Sequence, residues 1–149
     1  MPGMKIGNID VIQNYKFLRH INLSNNLIRD ITALSSENLS QLLTLDLSKN
    51  RITDPSIAFH PSLQILNFSE NNITDIPENA FPHPFLTSLN LNGNQITAIH
   101  GIDQPEKPLR FFEARANKLT TCENLNPNTE ELDLVCLQIF YSFCTLNSM

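Results

Sequence analysis

The residues best suited to catalysis or to metal binding are scattered along the chain. The histidines are His20, His60, His83 and His100, and the cysteines are Cys122, Cys136 and Cys144. A metal or acid–base site needs such side chains to converge, which in sequence usually shows as H-x-x-x-H, C-x-x-C, D-x-D or G-x-S-x-G. None of these motifs stands in the context that its chemistry needs, and the four glycines form no phosphate-binding loop. We therefore expect no catalytic residues, no metal and no cofactor.

Asparagine is the polar residue type whose spacing is regular. Five asparagines recur 24, 21, 23 and 23 residues apart, namely Asn26, Asn50, Asn71, Asn94 and Asn117. A side-chain amide can donate and accept at the same time, so stacked asparagines can satisfy the backbone groups that a turn leaves without partners. We interpret these five residues as a structural asparagine ladder rather than as reactive groups.

Each of these asparagines closes one copy of an eleven-residue pattern, L-x-x-L-x-L-x-x-N-x-L. The copies begin at Leu18, Leu42, Leu63, Leu86 and Leu109. The x-L-x-L-x part alternates with a period of two, which predicts a short strand with one apolar face. One such strand cannot bury that face alone, so we expect the copies to stack into a parallel sheet over a shared core.

The pattern resembles that of the leucine-rich repeat family. The resemblance implies an α/β solenoid, a horseshoe segment with a parallel sheet on its concave face and irregular, 3₁₀ or short helical returns on its convex face. The repeat endings "NLIRDI", "NRITD", "NNITDI" and "NQITAI" resemble the short intracellular repeats of phosphatase-regulatory subunits and axonemal proteins. Residues 6–134 resemble most the leucine-rich repeat proteins of the radial spoke in motile cilia.

We predict one domain in three parts: a covering segment over 1–17, a solenoid of five full repeats and a partial sixth over 18–134, and an atypical tail over 135–149. The covering segment offers the apolar residues Ile6, Ile9 and Val11 for a strand or turn over the first coil. The sixth copy has Leu137 where the asparagine is expected. Two explanations of the apolar tail stay open: it folds back over the open end, or it is foreign to a longer native protein. An exposed apolar end also predicts end-to-end self-association.

The charge, the apolar runs and the cysteines of the chain indicate which kinds of partner and which cellular compartment to expect. The net charge is −5 and no basic stripe occurs, which argues against a nucleic-acid partner. No apolar run reaches 18 residues and the first residues lack a signal-peptide core, so we expect neither membrane insertion nor secretion. The three cysteines do not match the disulfide caps of extracellular relatives, which predicts reduced thiols in the cytoplasm or in the axoneme of a cilium or flagellum. The return "IPENAFPHPF" instead resembles the extracellular repeat type.

The strand residues that point away from the core are the candidate binding residues. Large apolar and arginine side chains are enriched where proteins bind one another. The candidates for contact with a protein partner on the concave face are Phe111, Arg110, Arg115, Glu113, Ile65, His20 and Asp46. We thus predict a non-catalytic protein-interaction scaffold; a regulatory subunit of a protein phosphatase and an extracellular recognition module are the alternatives.

Overall fold

The computed structural model describes residues 2–35, 37–77, 80–99, 102, 109–122 and 129–134. Predictions that concern His100, Cys136, Cys144, Leu137 or the tail over 135–149 lie outside these residues. Within the described ranges, no helix is long and apolar enough to cross a bilayer.

Six short parallel strands form the main sheet of the described residues. Their order in the sheet is β1-β2-β3-β4-β6-β8, so each coil adds one strand beside the last. The strands are β1 (His20–Asn22), β2 (Thr44–Asp46), β3 (Ile65–Asn67), β4 (Ser88–Asn90), β6 (Phe111–Glu113) and β8 (Glu131–Asp133). A second parallel pair, β5 (Ala98–Ile99) and β7 (Thr121–Cys122), lies in the returns and was not predicted.

The register of the main sheet aligns the central residue of every strand. These central residues are Ile21, Leu45, Leu66, Leu89, Phe112 and Leu132. The first five are buried. They form one continuous core with the apolar residues that stand two positions after each ladder asparagine, namely Ile28, Ile52, Ile73, Ile96 and Leu119. Leu132, on the edge strand, is 39% exposed. The predicted alternation therefore places one apolar face inward along the first five strands.

A left-handed residue follows each of the first five strands of the main sheet, and a side-chain hydrogen bond also closes the turn after the first four. The residue before each ladder asparagine has a positive φ; these residues are Asn25, Lys49, Glu70, Gly93 and Ala116. Upstream, the side chains of Asn22, Asp46, Asn67 and Asn90 each accept the N–H two residues later, at 2.9 to 3.0 Å. The backbone is thus turned out of the sheet after three residues, and the ladder asparagine lies inside the turn.

The returns contain 3₁₀ helices and irregular chain, and no α-helix occurs among the described residues. Two of the 3₁₀ helices, Thr32–Ser35 and Glu37–Leu39, lie in the return between β1 and β2. The third, Asp10–Asn14, lies in the first segment. The expectation of irregular or 3₁₀ returns agrees with this arrangement.

The first segment forms a half coil with a 3₁₀ helix, so of the strand or turn that we expected no strand occurs among its described residues. Ile9 and Ile12 are buried, whereas Val11, which we expected to cover the core, is 52% exposed because it lies on the outer side of the 3₁₀ helix. Before this helix, the N–H groups of Met4 and Ile6 donate to Oδ1 of Asn26 at 3.1 and 3.0 Å. Asn26 therefore accepts hydrogen bonds from the backbone of the preceding turn, just as the later asparagines do.

Candidate functional site

The exposed side of the main sheet, here called the sheet face, is formed by two columns of side chains. One column is His20, Thr44, Ile65, Ser88, Phe111 and Glu131; the other is Asn22, Asp46, Asn67, Asn90, Glu113 and Asp133. Neighbouring strands lie about 4.8 Å apart, so six strands span about 24 Å. That width accommodates a helix or an extended segment of a partner.

An aromatic ring and an arginine stand together at the start of β6. Phe111 is 39% exposed, and the guanidinium carbon of Arg110 lies 5.7 Å from the centre of its ring. Nη2 of Arg110 also donates to Oε2 of Glu130 at 2.7 Å. This hydrogen bond, together with the opposite charge, raises the pKa of Arg110 and lowers the pKa of Glu130. Glu130 thus orients an arginine that also contacts the aromatic ring.

A second set of polar contacts fixes Glu113 beside this pair. Oε2 of Glu113 accepts from the side-chain amides of Asn90 at 3.1 Å and Asn92 at 2.7 Å. Oδ1 of Asn92 in turn accepts the backbone N–H of Arg115, whose guanidinium forms an ion pair with Asp133. The hydrogen bond to Asp133 raises the pKa of Arg115. The carboxylate and both arginines are therefore held in place before any partner arrives.

Ile65 extends the apolar part of this surface. It is 46% exposed and shares a column with Phe111, with only Ser88 between them. Two strand spacings separate Ile65 from Phe111, which is about 10 Å. The small side chain of Ser88 therefore stands between two larger apolar side chains.

The structure places the other two predicted site residues at the far end of the sheet face. His20 Nδ1 lies 2.8 Å from Oγ1 of Thr44, and Oδ1 of Asp46 accepts the N–H of Ser48 at 3.0 Å. Both lie three or four strand positions from Phe111 in the order of the sheet. Asp46 also ends its strand, a role that its column neighbours share. Five of the seven predicted residues are thus grouped around Phe111, while His20 and Asp46 are separate; whether any of them binds a partner stays a prediction.

Sequence reasoning missed Asn90 and Asn92 as the residues that position Glu113. The signal that finds them is the repeat alignment, since these residues stand one coil before Glu113 and Arg115. It also treated all the histidines as scattered, which is wrong for two of them. His60 and His83 are buried side by side, with ring centres 5.9 Å apart, because consecutive returns place them in one column. Among the described residues, no three histidine, cysteine, aspartate or glutamate side chains are grouped as a metal would require.

Comparison with known proteins bears on both the repeats and the sheet. Residues 61–104 match a family model described as leucine rich repeats in two copies, and residues 39–58 match a model of a single leucine rich repeat. The solved structure of an internalin (inlF) from Listeria monocytogenes superposes with a TM-score of 0.71 at 26% sequence identity. The described residues have the fold of a leucine-rich repeat solenoid. The expectation drawn from the eleven-residue pattern is therefore confirmed.

The match to the internalin covers 87% of this chain but only 38% of the internalin chain. The solenoid thus spans well under half the length of that relative. No curated protein sequence matches the chain.

Proposed function

We propose that this solenoid is a non-catalytic protein-interaction scaffold that binds a protein partner through the sheet face around Phe111. The observation that carries the proposal is the exposed Phe111 ring with the Arg110 guanidinium beside it, on a surface that is otherwise largely polar. Leucine-rich repeats and an internalin-like fold support protein binding as the general role.

The surroundings of Phe111 favour a binding role over a merely solvated one. Aromatic and arginine residues dominate the binding energy of interfaces when polar neighbours exclude water around them. Here Glu113, Arg115 and Glu130 already have hydrogen-bonded partners, so ordering them on binding costs little conformational entropy. The patch contains two arginines against four carboxylates, those of Glu113, Glu130, Glu131 and Asp133, so it favours a partner with an apolar anchor and basic flanks.

The proposed setting is the cytoplasm, with the radial spoke of the ciliary or flagellar axoneme as the specific assembly. The support for this setting is the resemblance of the short repeat endings, such as "NRITD" and "NNITDI", to those of axonemal proteins. A phosphatase catalytic subunit and a cell-surface protein are the partners that the alternatives predict. The immobilised chain should capture spoke subunits from an extract of ciliated cells; enrichment of a phosphatase or of a surface protein instead would replace the axonemal proposal.

The binding surface is tested by truncating the aromatic ring. Loss of a hot-spot aromatic costs about 2 kcal/mol or more, so Phe111→Ala should raise the Kd for the captured partner at least about thirtyfold. Titration calorimetry measures the Kd, and thermal unfolding should show little change because the ring is on the exposed side of β6.

Phe85→Ala is the matched control. Phe85 is 59% exposed but lies before β4, outside both columns of the sheet face. We expect its Kd to equal that of the unmodified chain. Equal Kd values for Phe111→Ala and the unmodified chain would move the binding site to the returns.

A further inference from the structure

The two large apolar side chains of the sheet face lie on a line that crosses the strands. Ile65 and Phe111 are 46% and 39% exposed, and they belong to the same column with Ser88 of β4 between them. Neighbouring strands are about 4.8 Å apart, so the two backbone positions are separated by about 10 Å. A partner segment that covers both side chains therefore runs across the strands and has apolar groups about 10 Å apart on one side.

This separation distinguishes an α-helix from an extended segment. Residues i and i+7 of a helix point in nearly the same direction, and seven residues rise about 10.5 Å. In an extended segment, residues on one side are two or four positions apart, which is about 7 or 13 Å. A helix therefore contacts both Ile65 and Phe111, whereas an extended segment is out of step with one of them. Residue i+3 of the helix, about 4.5 Å along its axis, lies over Ser88.

The β8 end of this line is negatively charged. Among the described residues, both arginines near it already have a carboxylate partner, since Arg110 pairs with Glu130 and Arg115 with Asp133. Glu131 lies outside these two pairs. It is exposed and stands next to the aromatic ring of β6 in the same column. A cation of a partner at this position would meet a carboxylate that is not engaged in either pair.

Glu113 is a second carboxylate outside the two ion pairs. Its Oε2 accepts from the side-chain amides of Asn90 and Asn92, which carry no positive charge. These hydrogen bonds hold the carboxylate on the same side of β6 as Phe111 without neutralising it. The same face of β3 and β4 presents no charged side chain in either column. Basic residues of a partner are therefore favoured at the β8 end of the line and not at its β3 end.

We propose that the sheet face binds an amphipathic α-helix of a partner protein that lies across the strands. Its apolar residues i, i+3 and i+7 cover Phe111, Ser88 and Ile65. Two basic residues at i−4 and i−3, one turn before the apolar stripe, lie beside Glu131 and Glu113. In this direction the N-terminus of the helix, the positive end of its dipole, also points toward the carboxylates. This inference rests on the proposed binding at Phe111 and adds the secondary structure and the charge of the partner element.

The probe is a capped, labelled peptide, AKKAALQALQAALQA, which has the basic pair and the leucine spacing of the proposed helix. Fluorescence anisotropy should show saturable binding to the unmodified chain. Three matched peptides should each bind at least about tenfold more weakly. AKKAALQALQLAAQA has the same composition but turns its last leucine away from the stripe, AEEAALQALQAALQA reverses the charge, and AKKAALPALQAALQA interrupts the helix with proline.

Three variants of the chain locate the helix. Ile65→Ser should weaken AKKAALQALQAALQA about tenfold, because residue i+7 loses its apolar contact. Glu131→Lys should reverse the charge preference, so that AEEAALQALQAALQA binds more tightly than its basic counterpart. Glu113→Gln keeps an oxygen that accepts from Asn90 and Asn92 but removes the charge, so it should weaken the basic peptide and leave the acidic one no weaker. Thermal unfolding checks that all three variants remain folded, and Phe85→Ala should bind the basic peptide like the unmodified chain.

Several results would overturn the proposal. Equal affinity for the proline peptide, or for the two leucine arrangements, would contradict a helix. Equal affinity for the basic and acidic peptides, or an affinity that neither Ile65→Ser nor Glu131→Lys changes, would contradict its charge and its position.

The proposed function and the helix can fail separately. A captured partner whose Kd depends on Phe111, together with non-saturable binding of AKKAALQALQAALQA, would refute the helix and leave the proposed function intact. A basic peptide whose affinity Phe111→Ala does not change would contradict both, since it would bind elsewhere.

Discussion

Each ladder asparagine is a buried side chain that uses both ends of its amide. Nδ2 of Asn71 donates to the carbonyls of Leu47 and Phe68, each at 3.0 Å, and Oδ1 accepts the N–H of Ile52 at 3.0 Å. Two of these partners lie in the preceding coil. The asparagine therefore joins adjacent coils and closes its own turn at the same time.

Replacing Asn71 by alanine should lower the free energy of unfolding by about 1–3 kcal/mol, because it leaves the buried N–H of Ile52 without its acceptor. Urea titration measures the change. The matched control is Asn72→Ala, an exposed amide next in the chain, which should stay within about 0.5 kcal/mol. A loss for Asn71→Ala as small as that of the control would contradict the ladder. Asn22 is unsuitable as a control, because its Oδ1 accepts from both the N–H and the hydroxyl of Ser24.

The burial of His60 predicts a stability that depends on pH. His60 and His83 are 1% and 0% exposed, and they stand in the column that Leu39 occupies one coil earlier. Burial lowers the pKa of His60 below its ordinary value of 6.5, although hydrogen bonds with the backbone of Leu34 and Leu39 partly oppose this shift. The folded chain thus favours the neutral ring.

A folded-state pKa below the unfolded value means that the unfolded chain takes up the proton first as the pH falls. The stability is therefore complete above about pH 6.5 and is lost as the pH falls toward the folded-state value. Urea midpoints measured between about pH 7.5 and pH 5.5 should fall for the unmodified chain and fall less for His60→Leu, whose side chain suits this column. Equal slopes for His60→Leu and the unmodified chain would exclude His60 as the cause.

The turn after each strand depends on a left-handed residue. Only Gly93 among the five turn residues is a glycine, and Ala116 adopts a φ of 53° at the equivalent position. A Cβ is disfavoured in this region because it approaches the following carbonyl. The four turns whose left-handed residue is not glycine are therefore more strained than the turn at Gly93.

Ala116→Gly should raise the free energy of unfolding by about 1 kcal/mol, since the strain disappears at a position whose backbone stays the same. Gly93→Ala should lower it by a similar amount, because its Cβ would also lie 3.2 Å from Cγ of Glu70. The control is Ala98→Gly on β5, where an ordinary strand backbone predicts a loss rather than a gain. Thermal and urea unfolding measure the sign of each change in the free energy of unfolding. A destabilised Ala116→Gly chain would contradict the assigned left-handed turn.

The whole molecule is a linear stack in which each coil bonds to its neighbours. The ladder bonds join residues 19 to 27 positions apart, which is one coil. In such an arrangement, stability is close to a sum of coil terms and neighbour terms, so damage at one end stays local. Among the described residues, the first half coil is bonded to the rest of the stack through the coil of β1.

Asn26→Ala should therefore free the first half coil and leave the far strands intact. Hydrogen exchange of the Met4 and Ile6 amides should accelerate, because both lose their acceptor, while the amides of β6 should keep their protection. Asn117→Ala is the reciprocal variant and should expose the amide of Ile96 instead. Uniform loss of protection in both variants would show that the solenoid unfolds as one cooperative unit.

The sequence by itself determined the repeats, the strands of the main sheet and the ladder. Leucine alternation and the spacing of Asn26 to Asn117 are local signals, because strand period and turn chemistry act within about ten residues. For the adjacent pair Phe111 and Phe112, the alignment alone placed the first outward and the second inward, and the structure agrees. The repeat pattern was sufficient to assign these two directions, because a side chain on a strand can point only to one face of the sheet or to the other.

Only the tertiary structure decided which side chains meet across coils. The contacts of Glu113 with Asn90 and Asn92, the stacking of His60 on His83, and the bonds from Met4 and Ile6 to Asn26 all join residues 20 or more positions apart. The choice of Ile12 rather than Val11 for the core likewise depended on the 3₁₀ helix that the half coil adopts. Periodicity fixes the face of the strand on which a residue lies. The partner of that residue depends on how the coils stack. Because the returns vary in length, the stacking can change while the pattern within each repeat stays the same.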